Sequence, residues 1–309
     1  MATDVNRGTT GVVLPKEVSA EIWQNMQDAS TVQQLARRID LPGPGVTVQT
    51  ITGDPVADWV AETDEKPVST PSFGSKDITP YTLAVVVPFS NQFKRDKAAL
   101  YNECIRRLPG ALASKFDSTV YASSGAPGSN FAQLGGATEV KLGPGSGATK
   151  GTYSGLVEAY TTVAGADGTL DGWALNSAGK GLLLGQVDTT GRPILVDSIA
   201  NGSSVPMLLG ERVVYGKGVP SASSVVGFAG DWASAVWGAV EGVQISISEG
   251  AIVNGTTTIT ASDSETTVDV PNVLPLWQKN MFAVRAEIEI GFQARDITRF
   301  VKLTSTARS

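Results

Sequence analysis

Residues 46–90 read VTVQTITGDPVADWVAETDEKPVSTPSFGSKDITPYTLAVVVPFS, and their reading decides the architecture. Val46, Val48 and Ile51 begin an extended run, and Asp54-Pro55 makes a turn. Residues 57–77 are polar and rich in Pro, Ser, Thr and charge. Tyr81, Leu83, Val85 and Val87 then alternate with Thr82, Ala84 and Val86, the period of a strand with two unlike faces. The pattern predicts two long strands joined by a polar tip, a projecting hairpin. A two-stranded ribbon is marginal on its own in water. The expectation is therefore that this arm rests on another copy of the chain, which favours an assembly protein over a monomeric enzyme.

Outward from the hairpin the chain alternates helix and strand without a βαβ succession. Residues 1–14 read as an arm. Pro15 opens a helical segment in which Val18, Ile22 and Met26 recur every four residues. Ser30 is placed to cap a second short helix carrying Leu35 and Ile39, ended by Pro42-Gly43-Pro44-Gly45. Ser90 caps the longest predicted helix, roughly 91–122. Its apolar stripe is Leu100, Cys104, Leu108, Leu112, Phe116 and Val120, which makes Cys104 a small core residue. Pro109 predicts a kink or a break. Residues 123–150 are loop-like, and Gly143–Gly147 lacks the spacing of a phosphate loop. Residues 151–265 are mixed. Leu156, Val157, Tyr160 and Val163 predict a helix, and Gly172–Leu175 a strand that ends in a cap at Asn176. Met281 to Leu303 is a long β-rich stretch. The fold class is α+β.

Composition narrows the chemistry. The 309 residues contain no His and one Cys, Cys104. That removes Ser-His-Asp and Cys-His catalysis, His-ligated metals, and any internal disulfide. The net charge is −6, where a phosphate-gripping protein carries a basic surplus. Only 17% of residues are charged, too few for a disordered chain or a long solvated helix. No window of 18 apolar residues occurs, and residues 1–11 lack the apolar core of a signal peptide. Asp54, Asp58, Glu62, Asp64 and Glu65 cluster on the hairpin tip, where a solvated face is expected rather than a carboxylate-pair site. Asp263, Glu265 and Asp269 lack calcium-loop spacing. No cofactor and no metal are expected.

Several local patterns, in one order, resemble the major capsid proteins of tailed bacteriophages, the Hong Kong 97-type fold family. Trp59-Val60-Ala61-Glu62 followed by Ser69 to Phe73 resembles the family's extended loop, and Phe89-Ser90 the entry to its spine helix. Gly172–Asn176, Asp188–Leu195 and Leu209–Val214 resemble its axial domain. Gly230-Asp231-Trp232 and Phe300–Leu303 complete the order. The resemblance implies an N-terminal arm with short helices over 1–45 and an extended loop over 46–90. It also implies a peripheral domain over 91–150 and 266–309, with spine helix and long strands, and an axial domain over 151–265.

The same resemblance implies a function and a site. The function is an icosahedral head shell, built as hexamers and pentamers of this chain in the host cytoplasm, enclosing double-stranded DNA without sequence-specific binding and without a membrane. Scaffolding, portal, protease and decoration proteins are the further partners it implies; the arm before Pro15 is expected to be too short for a fused scaffolding domain, so scaffolding is expected from a separate protein or from a segment already removed from this chain. The crosslinked founding member joins a loop Lys to an Asn of a neighbouring subunit, promoted by a Glu. Lys66, in Lys66-Pro67, matches the Lys; Asn280, in Lys279-Asn280-Met281, the Asn; and Glu287 the Glu. Asp64 and Glu65 flank Lys66 with negative charge, and Lys76 is the fallback donor. Beyond single-turnover crosslinking the resemblance implies no enzyme activity. Two rivals stand beside this reading: a cargo-housing encapsulin-type shell of the same fold, and a carboxylate-based hydrolase or glycan-binding β protein.

Overall fold

The structure is a computed structural model that describes residues 30–305, apart from 54, 56, 61–64, 67, 71, 97, 144–150, 185–206, 222–223, 251 and 261–266. The predicted arm, the helix after Pro15 and the Asp188–Leu195 motif lie outside the described residues. In chain order the elements are α1 (Thr31–Leu35), β1 (Arg37–Asp40), β2 (Val46–Gly53), β3 (Ser72–Ile78), β4 (Tyr81–Ser90), α2 (Asn91–Asp96) and α3 (Ala98–Val120). Then come β5 (Thr138–Leu142), α4 (Thr152–Gly165), β6 (Gly172–Leu175), α5 (Ser177–Leu184), β7 (Met207–Leu208), β8 (Glu211–Tyr215) and β9 (Val225–Gly230). The chain closes with β10 (Ala235–Ala239), β11 (Gln244–Ser248), β12 (Ile252–Thr260), β13 (Thr267–Pro275), β14 (Met281–Ala294) and β15 (Phe300–Ser305).

Contacts divide the described chain into two compact units: Thr82–Leu112 with Glu241–Ile288, and residues 30–81, 113–240 and 289–305. The larger unit is built on a six-stranded sheet in the order β5-β15-β9-β6-β8-β7. Trp173, Leu156, Val163, Leu175, Val301 and Leu303 centre its core. The Gly172–Asn176 motif explains itself here. Trp173 is fully buried, and its Nε1 donates to Leu208 O at 3.1 Å. Asn176 caps α5: its Oδ1 accepts from Gly179 N–H at 2.8 Å, and its Nδ2 donates to Pro220 O and Val225 O, both at 2.9 Å. A buried carboxamide with these partners satisfied locks three segments together. Gly230 lies where β9 meets β15; a Cβ there would stand 2.6 Å from Arg299 O.

Ser30 caps α1 as its position predicts, its Oγ accepting from Gln33 N–H at 3.2 Å. The helix stops at Leu35, however, and Ile39 lies in β1. Residues 37–40 pair in parallel with β10, and this partner two hundred residues away outweighs a weak local helix preference.

The hairpin also differs from its expected form. β2 pairs with β3, Val46 opposite Ile78 and Ile51 opposite Phe73, while the alternating strand β4 pairs with β14. The returning arm was hidden because Ser72–Ile78 carries no apolar alternation. The hairpin's base seats on its own subunit: Ile78, Leu41 and Val236 are buried together with Val46 and Val48 packed against them. Its far loop does not, for Trp59 is 104% and Val68 92% exposed. The smaller unit holds a second ribbon, β12 with β13, from Ile252 opposite Pro275 to Thr260 opposite Thr267.

The predicted long helix is α2 followed by α3, with residue 97 outside the described set. α3 continues through Pro109 without a break. Burial of Leu108, Leu112 and Phe116 outweighs the hydrogen bond that proline removes. Cys104 is exposed, against expectation. Stepping by four residues advances 400° rather than 360° on a 3.6-residue helix. The stripe therefore drifts about 40° per step, and Tyr101, seven residues before Leu108, takes the buried place instead.

Near the end of α3, Asp117 is wholly buried and holds α1. Its Oδ1 accepts from Ser30 Oγ–H at 2.6 Å, and its Oδ2 from Thr31 N–H at 2.7 Å and Thr31 Oγ1–H at 2.8 Å. Burial outweighs the lowering pull of these hydrogen bonds and raises its carboxyl from 3.8 to about 6. A raised native pKa means that the unfolded chain releases the proton first. The stability contributed by Asp117 therefore falls as pH rises from about 4 to about 6 and is level above that. Asp117→Asn lacks this titration and turns a donor toward Thr31 N–H, so it is expected to melt lower than wild type by about 1–3 kcal/mol. The gap between the two proteins should widen from pH 7 to pH 4.5. A gap that narrows in thermal melts would mean that the carboxylate is held charged.

Candidate functional site

Lys66 lies in the loop between β2 and β3 and is exposed, as are Glu65 and Asp58. Asp54, Glu62, Asp64 and Pro67 lie outside the described residues. The same loop presents Trp59 and Val68 to water, with Val60 at the margin of exposure. Charge and apolar surface are thus carried together on one loop. Lys76 is placed differently. It sits in β3 opposite Val48, and its Nζ donates to Ala294 O at 2.8 Å within the same subunit. The fallback donor already has a structural task.

Asn280 ends the turn that joins β13 to β14. Leu276 is buried and anchors the turn, accepting from Met281 N–H at 2.9 Å and Lys279 N–H at 3.2 Å. Asn280 has φ of 52°, in the left-handed region that Asn tolerates better than most side chains. Both its carbonyls meet Asn91, the first residue of α2. Asn91 N–H donates to Asn280 O at 3.1 Å, and Asn91 Nδ2 donates to Asn280 Oδ1 at 2.9 Å. Asn280 itself is exposed, and three residues before it Trp277 is 81% exposed.

Glu287 stands in β14, opposite Gln244 of β11. Phe282, Val284, Ala286 and Ile288 are buried; Arg285 and Glu289 are exposed and Glu287 is half-buried. Glu287 thus stands on the more open face of its strand. Its Oε1 pairs with Arg285 at 3.1 Å, and Arg285 Nε donates to Ser246 Oγ at 3.2 Å. Met281 to Glu287 spans about 20 Å of extended chain. Asn280 and Glu287 belong to one compact unit but are not brought together within it; Lys66 belongs to the other unit.

The residues missed by sequence reasoning are Asn91 and Arg285. Arg285 stood two residues from Glu287, on the same strand face by period. Nothing local pointed from Asn91 to a partner 189 positions away.

Among the described residues no group of three His, Cys, Asp or Glu could hold a metal. A cavity of about 450 Å³ in the larger unit is lined by Arg37, Lys76, Arg295 and Arg299. The lining includes a single carboxylate, Asp231, already paired with Arg299 at 3.2 Å. A glycosidase needs two carboxyl groups across such a space.

Comparison with known proteins agrees with the resemblance read from the sequence. Residues 10–304 match the model of the phage capsid family. The probable major capsid protein gp17 of Mycobacterium phage L5 is 30% identical over 303 residues, covering 94% of this chain and 89% of the relative. Its counterpart in Mycobacterium phage D29 is 26% identical over 304 residues, covering 94% and 90%. Among solved structures, a chain of Mycobacterium phage Adephagia superposes with a TM-score of 0.70 at 18% identity over 91% of each chain. A chain from the capsid of a native GTA particle gives 0.61 at 16% identity, over 99% of this chain and 96% of the other.

Lys76→Met is expected to remove one charge-assisted hydrogen bond to a partly buried carbonyl. The cost should be about 1–3 kcal/mol in urea unfolding of the subunit. A variant as stable as wild type would show that the Lys76–Ala294 contact contributes nothing at the hairpin base.

Proposed function

The chain belongs to the phage capsid family and is a structural subunit of the Hong Kong 97-type fold, the major capsid protein of a tailed bacteriophage; from that premise we propose how its copies are joined. The shell is made of many copies of this chain. We read it as icosahedral, built of hexamers and pentamers in the host cytoplasm and closed around double-stranded DNA. Scaffolding, portal, protease and decoration proteins are its further proposed partners. The proposed division is an arm over 1–45, an extended loop over 46–90, a peripheral domain over 91–150 and 266–309, and an axial domain over 151–265. The observation that carries the reading is the β2–β3 hairpin. Its base is packed on its own subunit while its loop offers Trp59 and Val68 to whatever lies beyond. Apolar surface of this kind marks a contact, and in a shell the contact is another copy.

On this reading the loop also delivers a nucleophile. The amine of Lys66 attacks Cγ of Asn280 in a neighbouring copy, ammonia leaves, and an isopeptide bond remains. An ordinary lysine amine is charged at pH 7, and neutralising it costs about 4–5 kcal/mol. Desolvation by Trp59 and Val68 of its own loop, and by a neighbour's Trp277, lowers that cost. Glu287 of a further copy takes the proton. Asp64 and Glu65 oppose the step by favouring the charged amine. No single chain need supply the whole trio, so the bond forms where several subunits converge.

Boiling purified particles in detergent before a denaturing gel tests the chemistry. Ladders, or material too large to enter, are expected from wild type. Lys66→Ala and Asn280→Ala should each abolish them with shells still visible in negative stain, and Glu287→Ala should slow their growth by at least about 100-fold. A single monomer band from wild-type shells sinks the crosslink.

A further inference from the structure

We propose that Asn91 is the oxyanion donor for amide exchange at Asn280, an inference that rests on Asn280 being the crosslink acceptor. The reacting carbonyl is already engaged: Asn91 Nδ2 donates to Asn280 Oδ1 at 2.9 Å. The donor is itself held, because Asn91 N–H binds Asn280 O at 3.1 Å and Ser90 Oγ caps the same helix start by accepting from Gln92 N–H at 3.3 Å. The backbone contact holds the two residues together, and the side-chain contact turns Oδ1 of Asn280 toward Asn91.

This arrangement suits the reaction. As the neutral amine of a neighbour's Lys66 bonds to Cγ, the carbonyl electron pair moves to Oδ1 and negative charge develops there. The Asn91 N–H then faces an anion, and its hydrogen bond strengthens in the transition state without any reorganisation. The amine gives up a proton, Asn280 Nδ2 gains one, the Cγ–Nδ2 bond breaks, and ammonia departs. Amine plus primary amide gives secondary amide plus ammonia, and no oxidant or cofactor enters the balance. Removing one such donor from an oxyanion site typically costs about 10²–10³ in rate.

The alternative is that Asn91 merely holds the turn in its left-handed form. Asn91→Asp separates the two, since it keeps the backbone contact and the side-chain size but replaces the donor with an acceptor. Isotopically labelled wild type is co-assembled with Asn91→Ala, Asn91→Asp or Asn91→Gln in mixed shells, so that any assembly defect is shared. The Lys66–Asn280 linked peptides carrying Asn280 from each chain are then counted over time by mass spectrometry. Asn280 of Asn91→Ala and Asn91→Asp chains should react about 100-fold more slowly than wild-type Asn280 in the same shells. Asn91→Gln, which retains an amide donor, should recover part of the rate. Equal rates for wild type and Asn91→Asp overturn the role of Asn91 and leave the crosslink standing. Wild-type shells without any linked peptide overturn the crosslink itself.

Discussion

Trp59 lies wholly in water, and the rest of the molecule's behaviour follows from that exposure. A tryptophan buries about 150–250 Å² when it packs, equivalent to about 4–6 kcal/mol at 25 cal/mol per Å². The chain leaves this unrealised on its own while seating the base of the same hairpin with care. Ile78 is completely buried, Lys76 holds Ala294 O, and Gln293 Nε2 donates to Asp77 O at 3.3 Å. A firm root and an unsatisfied loop give an arm that is directed but incomplete. On the proposed reading each copy gives its loop to other copies, and repetition supplies the missing burial. Contacts that are modest singly become strong when a closed symmetric assembly engages all of them at once.

The parts of the fold legible in the sequence were those set by local chemistry. Ser30 and Asn176 cap helices because a short polar side chain before an apolar run has one good use for its oxygen. The alternation in Tyr81–Val87 reads as a strand because one face is more covered than the other. The illegible parts were those decided at a distance. Arg37–Asp40 becomes a strand only because β10 lies beside it. Ser72–Ile78 looked like tip rather than strand because between Phe73 and Ile78 it carries only Gly, Ser, Lys and Asp, and its pairing with β2 is what makes it a strand. Cys104 misled because a four-residue repeat looks like one stripe in print but spirals around a helix.

The candidate site divides in the same way. Lys66, Asn280 and Glu287 were chosen by resemblance, residue type and spacing, and the sequence held no trace of their contacts. The left-handed backbone at Asn280 is compatible with the residue name but not announced by it. The Asn91–Asn280 pair joins the start of α2 to the start of β14 and exists only once both are placed. Arg285 beside Glu287 is the exception, for a strand's period of two sets them on one face by spacing alone.

The separation of Asn280 from Glu287 has a consequence for timing. A reaction between an amine and an amide is dangerous if it fires in the free subunit, because a link made before the copies are in register would be permanent. On the proposed chemistry the safeguard is distance rather than an inhibitor. Asn280 stands just before this strand and Glu287 within it, paired with Gln244, with about 20 Å of extended backbone from Met281 to Glu287. A strand held in a sheet cannot fold to bring its two ends together. In the single chain Glu287 is instead paired with Arg285, and Lys66 is exposed. On the proposed chemistry, one copy's loop set against a second copy's turn, with a third copy's strand beside both, brings nucleophile, electrophile and base together. On that chemistry the sheet that makes the strand rigid also makes covalent closure conditional on correct assembly.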